Sequence, residues 1–439
     1  MIRRSLVFFL PLIAGACGDS GFDSSSPFGP SQGGGGSPLV RTNAPVLVDP
    51  ASHHAWVRRD GSLYAVSATS AGDVALAYPL DGLSDIRLAF LPGDLALLVA
   101  DDPLGCPFAT TACTRVAQLH TDTVASDAPE WEGSTLEFAT QSPLGGFVAL
   151  SGGFATSGVY VVGEGGDLRP MQWEALPGGV GWSRCLPDTG CDERLWMVGK
   201  HGIRSWPAVG GTLADEPDIA VDADCKDRGP YGYLEMDPLV AASPDGRWVA
   251  LTCDRTFSLF DAVTGMLTDT PFHGPISFTP TGTIVGHDRE DDESYWSYED
   301  ACLQFINPVN LVDNLACLPT SESFGYYVTE DDYVVASNDD GIFVMAIEGL
   351  SGYGAHVSAL TLQDGKFVER RGHHEIWFAQ GQSLFRLDYH SGVLAPMALP
   401  FLVDDMNIFP SQDQLAIVTS SSVFFLSLVT GSAQQVALP

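Results

Sequence analysis

Two 22-residue segments of this chain align without a gap. Residues 244–265 read PDGRWVALTCDRTFSLFDAVTG and residues 410–431 read PSQDQLAIVTSSSVFFLSLVTG. Pro244 falls on Pro410, Val249 on Leu415, Ala250 on Ala416 and Leu251 on Ile417, and both segments end Val-Thr-Gly. A third segment, residues 371–392, reads RGHHEIWFAQGQSLFRLDYHSG and begins 39 residues before the second. Its Ile376, Phe378 and Phe385 match Leu415, Ile417 and Phe424, and the tails 392–400 and 431–439 share the ending Ala-Leu-Pro. A repeated unit of this size cannot bury its apolar face alone. It must stack on its neighbours, which confines the chain to repeat architectures.

The physics of one unit is readable. Ser-Pro-Asp-Gly reverses the chain, because Pro presets φ and Gly accepts a positive φ. A run of about five apolar-rich residues follows, then a polar turn, a second run and a turn at Thr-Gly, which is the pattern of an antiparallel β-meander. Weaker copies begin near Pro50, Pro92, Pro143, Cys191, Pro280 and Glu330, giving nine signals with the three above. Their spacing, near 40–45 residues with four strands each, predicts an all-β fold, a β-propeller of about seven to nine four-stranded blades with eight as the central value. A β-sandwich array or a solenoid are the alternatives. The repeats occupy residues 39–439, about 400 residues, more than one ordinary core accommodates. Pairing strands from the two chain ends within one blade is one way for the ring to close and abolish its exposed edges.

The N-terminus is built differently. Arg3 and Arg4 precede an apolar run from Leu6 to Ile13, then Ala14, Gly15, Ala16 and Cys17. The run is too short to span a bilayer, which takes roughly 20 residues, but it suits a signal h-region. The segment MIRRSLVFFLPLIAGAC resembles the lipobox of bacterial lipoproteins. That resemblance implies a signal peptide over residues 1–16, acyl (palmitate-type) groups on Cys17, and anchoring in the cell envelope, with the outer membrane expected from Gly18. Two or more acyl chains anchor stably where one does not. An ordinary secretory signal is the alternative. Residues 18–38, GDSGFDSSSPFGPSQGGGGSP, can bury little and are expected to be a disordered tether. Its root-mean-square reach is ~25 Å.

The chain carries a formal net charge of −34, and removal of the two signal arginines takes the mature form to −36. Nucleic acid is therefore excluded as a partner, since phosphate contacts need clustered Lys and Arg. Acidic runs at Asp222–Asp227, Asp288–Glu293, Glu330–Asp332 and Asp339–Asp340 read first as solvated surface. No cofactor is expected; Ca2+, which prefers carboxylate oxygens, is the one cation these runs suggest. Nine cysteines less Cys17 leave eight. They lie in local pairs, Cys106/Cys113, Cys185/Cys191, Cys225/Cys253 and Cys302/Cys317, and are expected to form disulfides in an oxidising compartment. Eight cysteines allow 105 connectivities, so the local pairing is one reading among them.

Two histidine pairs stand out, His53-His54 and His373-His374-Glu375. On a strand, adjacent side chains point to opposite faces, so neighbouring histidines cannot chelate one ion there. Both pairs fall in the turn before the strand expected to be innermost, and a plain turn role is expected of them. The motifs H-E-x-x-H, G-x-S-x-G, the P-loop and G-x-G-x-x-G are absent from the sequence. The segment from Asp288 through Glu290, Asp291 and Asp292 to Tyr295 and Trp296 reads as an insertion between two strands and as a candidate binding loop.

The segments SPDGRWVALT and FSLFDAVTG resemble the repeats of bacterial WD40-like and TolB-type propellers. Together with the anchor and tether, that resemblance implies an envelope lipoprotein whose propeller is a non-enzymatic binding or scaffold module for a protein or polysaccharide, facing periplasm or cell surface. Propellers also host glycosidases, lyases and quinoproteins, so an extracytoplasmic enzyme with a channel-mouth active site is the alternative.

Overall fold

The computed structural model describes Ser37–Pro38, Val46–Val48 and, apart from scattered segments, residues 54–439; the longest segments left out are 103–112, 128–135, 223–239 and 288–301. Among the described residues there is no helix. Among the described residues, nine largely antiparallel sheets follow one another along the chain, spanning residues 46–79, 84–127, 136–170, 180–221, 240–273, 276–317, 325–358, 367–398 and 405–437, here numbered 1 to 9. Each is built on a meander whose strands pair in chain order; Ile219–Val221 pairs with the third strand of sheet 4 in addition, and Gly352–Tyr353 pairs parallel with the last strand of sheet 6. Nine sheets is one more than the central value read from the repeat. The nine repeat signals coincide with the second strands, from His54–Arg59 in sheet 1 to Gln414–Val418 in sheet 9.

The architecture is a β-propeller, and the reason is visible in one strand. In His54–Arg59, Ala55 and Val57 pack on Phe409, Ala416, Val418 and Phe425 of sheet 9. Trp56, pointing the other way, packs on Leu88 and Leu98 of sheet 2. Side chains alternate across a strand, and here both faces meet a neighbouring sheet. The second strands therefore read as near-continuous apolar runs rather than as an apolar/polar alternation. The same division recurs in sheet 8, where Ile376 and Phe378 face sheet 7 and Trp377 and Ala379 face sheet 9. Nine buried clusters join each sheet to the next and the ninth to the first. The ring closes by this packing; sheets 1 and 9 keep their own strands instead of sharing one blade.

First strands of adjacent sheets touch one another, in sheets 3 and 4, 4 and 5, 5 and 6, 8 and 9, and 9 and 1. They form the inner circle. The strand after the Ser-Pro-Asp-Gly turn is therefore second from the centre, not innermost as the sequence suggested. Ser37–Pro38, at the end of the expected tether, pair with Thr140 and Gln141 on the inner strand of sheet 3.

The turn signal has a chemical basis. The hydroxyls of Ser142, Ser243, Thr279 and Thr329 each accept the N–H of the residue that closes the first turn of their sheet, at 2.9–3.1 Å. Gly246, with φ +71°, brings its Cα against the Arg184 carbonyl of sheet 4, where a Cβ would collide with backbone. These turns are also tied across seams. Glu193, 2% exposed and opening the second strand of sheet 4, accepts the N–H of Leu144 from the turn of sheet 3. Burial raises the Glu193 carboxyl above its ordinary value, against the hydrogen bonds from Leu144 and Ser142. A folded-state pKa above the unfolded one means that ionisation costs stability as pH rises past about 4.5. Glu193→Gln keeps the acceptor and removes the charge. Its stability relative to the parent is expected to rise from pH 4 to pH 7 in urea titrations. Glu193→Ala strands the donor and is expected to lose about 1–3 kcal/mol.

Cys185 and Cys191 are joined by a disulfide, with Cα atoms 5.8 Å apart. Cys302 and Cys317 are register partners on adjacent antiparallel strands, Cys113 opens the third strand of sheet 2, and Cys253 ends the second strand of sheet 5. Cys17, Cys106 and Cys225 lie outside the described residues, as does the acidic segment from Asp288 to Trp296.

Candidate functional site at the seam of sheets 7 and 8

Sheet 8 departs from the repeat at two turns on one face of the ring. In an antiparallel meander, the turns between first and second strands and between third and fourth strands lie at the same end. In sheet 5 the second of these reads Asp261-Ala-Val-Thr-Gly, and in sheet 9 Ser427-Leu-Val-Thr-Gly, with Val263 and Val429 61% and 70% exposed. The same place in sheet 8 reads Asp388-Tyr-His-Ser-Gly, so that His390 replaces a surface valine. The first turn of sheet 8 lacks the hydroxyl that opens this turn in sheets 3, 5, 6 and 7. Arg370 stands there instead, paired with Glu375 at 3.2 Å and Asp413 at 3.3 Å, and the turn carries His373 and His374. His374 takes a left-handed φ of 57°.

Both departures meet one residue of the neighbouring sheet. Asp331 lies in the first turn of sheet 7 and plays the part that Asp245 plays in sheet 5: the threonine or serine hydroxyl donates to it, Thr329 at 2.7 Å and Ser243 at 2.5 Å. The Tyr389 hydroxyl donates to the same oxygen of Asp331 at 2.8 Å. The other oxygen, Oδ2, is met by His374 Nδ1 at 2.7 Å and His390 Nε2 at 2.5 Å. The two imidazoles stack with centroids 4.0 Å apart, and Tyr333 stacks on His390 at 4.5 Å. The Tyr389 N–H donates to the His374 carbonyl at 3.1 Å, which ties the two turns together.

Beneath this surface group lies a buried network. Glu369, on the inner strand of sheet 8, accepts from the Tyr327 hydroxyl at 2.8 Å and the Glu330 N–H at 3.0 Å, and shares the single Tyr389 hydroxyl proton with Asp331 at a longer 3.3 Å. Burial pushes the Glu369 carboxyl above its ordinary value. Burial, with the Glu369 charge beside Tyr327 and the hydrogen bond to Asp331 beside Tyr389, drives both phenols far above theirs, so each stays a donor. Asp331 goes the other way. Its partial burial raises it, but hydrogen bonds from Thr329, Tyr389, His390 and His374 outweigh that and hold the carboxyl below its usual value.

Asp331, His374 and His390 thus present one carboxylate oxygen and two imidazole nitrogens within 4.8 Å of one another. The histidine side chains are 47% and 40% exposed, so the group opens to solvent. It can accept a cation or engage polar groups of another molecule. The plain turn role expected of His373-His374 is corrected for His374. Its partner is His390, brought across from the other turn, not the adjacent His373, whose ring is outside the group. Glu375 is committed elsewhere, to Arg370, Arg386 and the Trp377 indole. Among the described residues of the acidic runs, only Glu330–Asp332 contributes a donor. Asp222 pairs with Arg204 at 3.2 Å, and the Asp340 carbonyl faces His356. His54 opens the second strand of sheet 1, and His53 lies outside the described residues.

Fold and site together define a β-propeller with an imidazole–carboxylate group exposed at one seam. No protein family and no curated protein matches the sequence. Among solved structures, the chain is similar to the dihydro-heme d1 dehydrogenase NirN in complex with DHE, at 15% identity over 80% of this chain and 73% of that one, TM-score 0.45. It is similar to dipeptidyl peptidase 4 of Porphyromonas gingivalis at 9% identity, covering 91% of this chain and 60% of the peptidase, TM-score 0.47. A third is apo AztD from Citrobacter koseri, at 11% identity over 88% and 93% of the two chains, TM-score 0.40.

Proposed function

We propose that this protein is an envelope-anchored propeller that binds a partner rather than transforming one, and that its binding site is the exposed seam at Asp331, His374 and His390. The observation that carries the reading is the replacement of two ordinary turn positions by histidines that converge on a carboxylate of the next sheet. Packing does not require His390, because an exposed valine serves at its position in two other sheets. Exposed polar clusters set on a rigid scaffold are where recognition resides. The lipobox-like segment ending in Cys17 and the Gly/Ser-rich stretch behind it support a tethered location. The partner is an envelope protein or polysaccharide.

The test compares the parent and a His374→Ala/His390→Ala variant as bait for envelope extract, each as the full chain in detergent. A partner retained by the parent and lost by the variant is the expected result. Equal capture by both contradicts the assignment of the site. Cys17→Ser is expected to move the protein from the membrane to the soluble fraction, and unchanged partitioning contradicts the anchor.

A further inference from the structure

We infer that the seam holds a divalent transition-metal ion of the zinc class, bound by Asp331 Oδ2, His374 Nδ1 and His390 Nε2, with a remaining position open to a donor from outside the chain. The inference rests on the reading of this seam as the binding site and names the ligand it takes.

Geometry is the first support. The nitrogens of His374 and His390 lie 2.7 and 2.5 Å from the same carboxylate oxygen, and all three donors fall within 4.8 Å. A tetrahedral ion with bonds of about 2.0–2.2 Å needs donors about 3.3–3.5 Å apart. Each nitrogen must therefore draw back from the carboxylate oxygen by less than about 1 Å, and the two stacked rings must splay so that both lone pairs meet the ion. Both rings sit on surface turns and are 47% and 40% exposed, which leaves room for the movement, while Tyr333 stays stacked against His390.

The donor set selects the ion. Ca2+ and Mg2+ want shells of oxygen. Two imidazoles and one carboxylate suit zinc and its neighbours in the first transition row. The Ca2+ suggested by the acidic runs is thus the wrong class for Glu330–Asp332, the run that contributes Asp331.

The ligands are also held in place. The hydroxyls of Thr329 and Tyr389 occupy Oδ1 of Asp331 and leave Oδ2 turned to the histidines. Such partners orient a ligand and raise its affinity for metal. The His390 N–H is fixed by Asp388 at 3.1 Å, and the Tyr389 N–H is fixed by the His374 carbonyl. Surrounding charge favours a cation: Glu330, Asp332, Glu369 and Asp388 lie on the same turns and strand, and the nearby Arg371 is turned to Glu369 at 3.6 Å. Three protein donors leave one tetrahedral position, and the exposure of both rings leaves it facing solvent. A carboxylate or imidazole of a partner can complete the shell there. Because Asp331 belongs to sheet 7 and both histidines to sheet 8, the ion also spans a seam, so its binding must stabilise the folded ring.

The test uses the full chain in detergent, stripped with chelator and titrated with Co2+, whose visible absorption reports tetrahedral coordination, and then with Zn2+ in competition. One equivalent of Co2+ is expected to bind with tetrahedral bands, to be displaced by Zn2+, and to raise the melting temperature. His374→Ala and His390→Ala are each expected to weaken binding by more than the 10–100-fold typical of losing a group that only orients a ligand, and Tyr389→Phe by an amount within that range. His373→Ala should match the parent. Circular dichroism in chelator checks that the variants fold, and Asp331→Asn, which keeps the shape of the side chain, replaces any that does not. The absence of tetrahedral bands in the folded parent overturns the inference, as do bands unchanged in Asp331→Asn and His374→Ala. Metal bound at the seam with partner capture untouched by the histidine variants overturns the binding-site reading alone. Capture lost in those variants without metal uptake by the parent overturns the ion alone.

Discussion

A chain ending at residue 404 is expected not to fold cooperatively. The missing 35 residues are sheet 9, and they take part in two of the nine seams. One seam sets Phe409, Val418, Val423, Phe425 and Val436 against Ala55, Val57 and Val66 of sheet 1. The other sets Leu415, Ile417 and Leu426 against Trp377, Ala379 and Leu384 of sheet 8. Each fully buried aliphatic or aromatic side chain is worth about 1.5–3 kcal/mol. Losing two such seams removes more than the roughly 5–15 kcal/mol by which folded domains are stable. It also exposes the apolar faces of sheets 1 and 8 together. Far-UV circular dichroism with thermal melting, and size-exclusion chromatography, read the outcome. A broad or absent transition with aggregation is expected. A sharp transition within a few degrees of the parent contradicts closure of the ring between sheets 9 and 1.

The second large effect concerns Trp196. Its ring is fully buried in the seam of sheets 4 and 5, edge-on to Phe260 at 5.6 Å, and its indole N–H donates to the buried Ser183 hydroxyl at 2.9 Å. Trp196→Ala opens a cavity between two sheets that, among the described residues, are joined by side-chain packing and not by a shared ladder. A cost of about 3–5 kcal/mol is expected by urea denaturation. Val263→Ala, on an exposed turn of sheet 5, should stay within about 0.5 kcal/mol. A Trp196→Ala loss below about 1 kcal/mol contradicts the view that inter-sheet packing holds the ring.

Much of the ring was readable in the chain because its units are local. The run Trp-Val-Ala-Leu at 248–251 marks a strand buried on both faces, and Ser243 ahead of Pro-Asp-Gly marks the turn whose hydroxyl fastens it. All nine second strands follow from such signals. The order of strands from the centre outward was not readable, since apolar runs look alike wherever both faces are covered. A closed ring was expected, but how it closes was not readable, because sheets 9 and 1 meet through contacts such as Val57 with Phe409 that no local pattern encodes.

The seam site divides the same way. Asp331 lies 43 residues from His374 and 59 from His390, so its meeting with them is a product of the fold. The adjacency of His373 and His374 drew attention to the wrong pair. The signal that was present is a misfit in the repeat: aligned unit against unit, His390 falls on Val263 and Val429, and Tyr389 on Ala262 and Leu428. Positions where a unit breaks its own rule without a packing reason are where function is to be sought.

The most direct measurement is X-ray diffraction from crystals grown with Zn2+, with data collected on both sides of the zinc absorption edge. The account predicts an anomalous peak enclosed by Asp331, His374 and His390, with Thr329 and Tyr389 still bonded to the far oxygen of Asp331. A seam free of anomalous signal in a zinc-saturated crystal would contradict it, as would imidazoles turned away from Asp331.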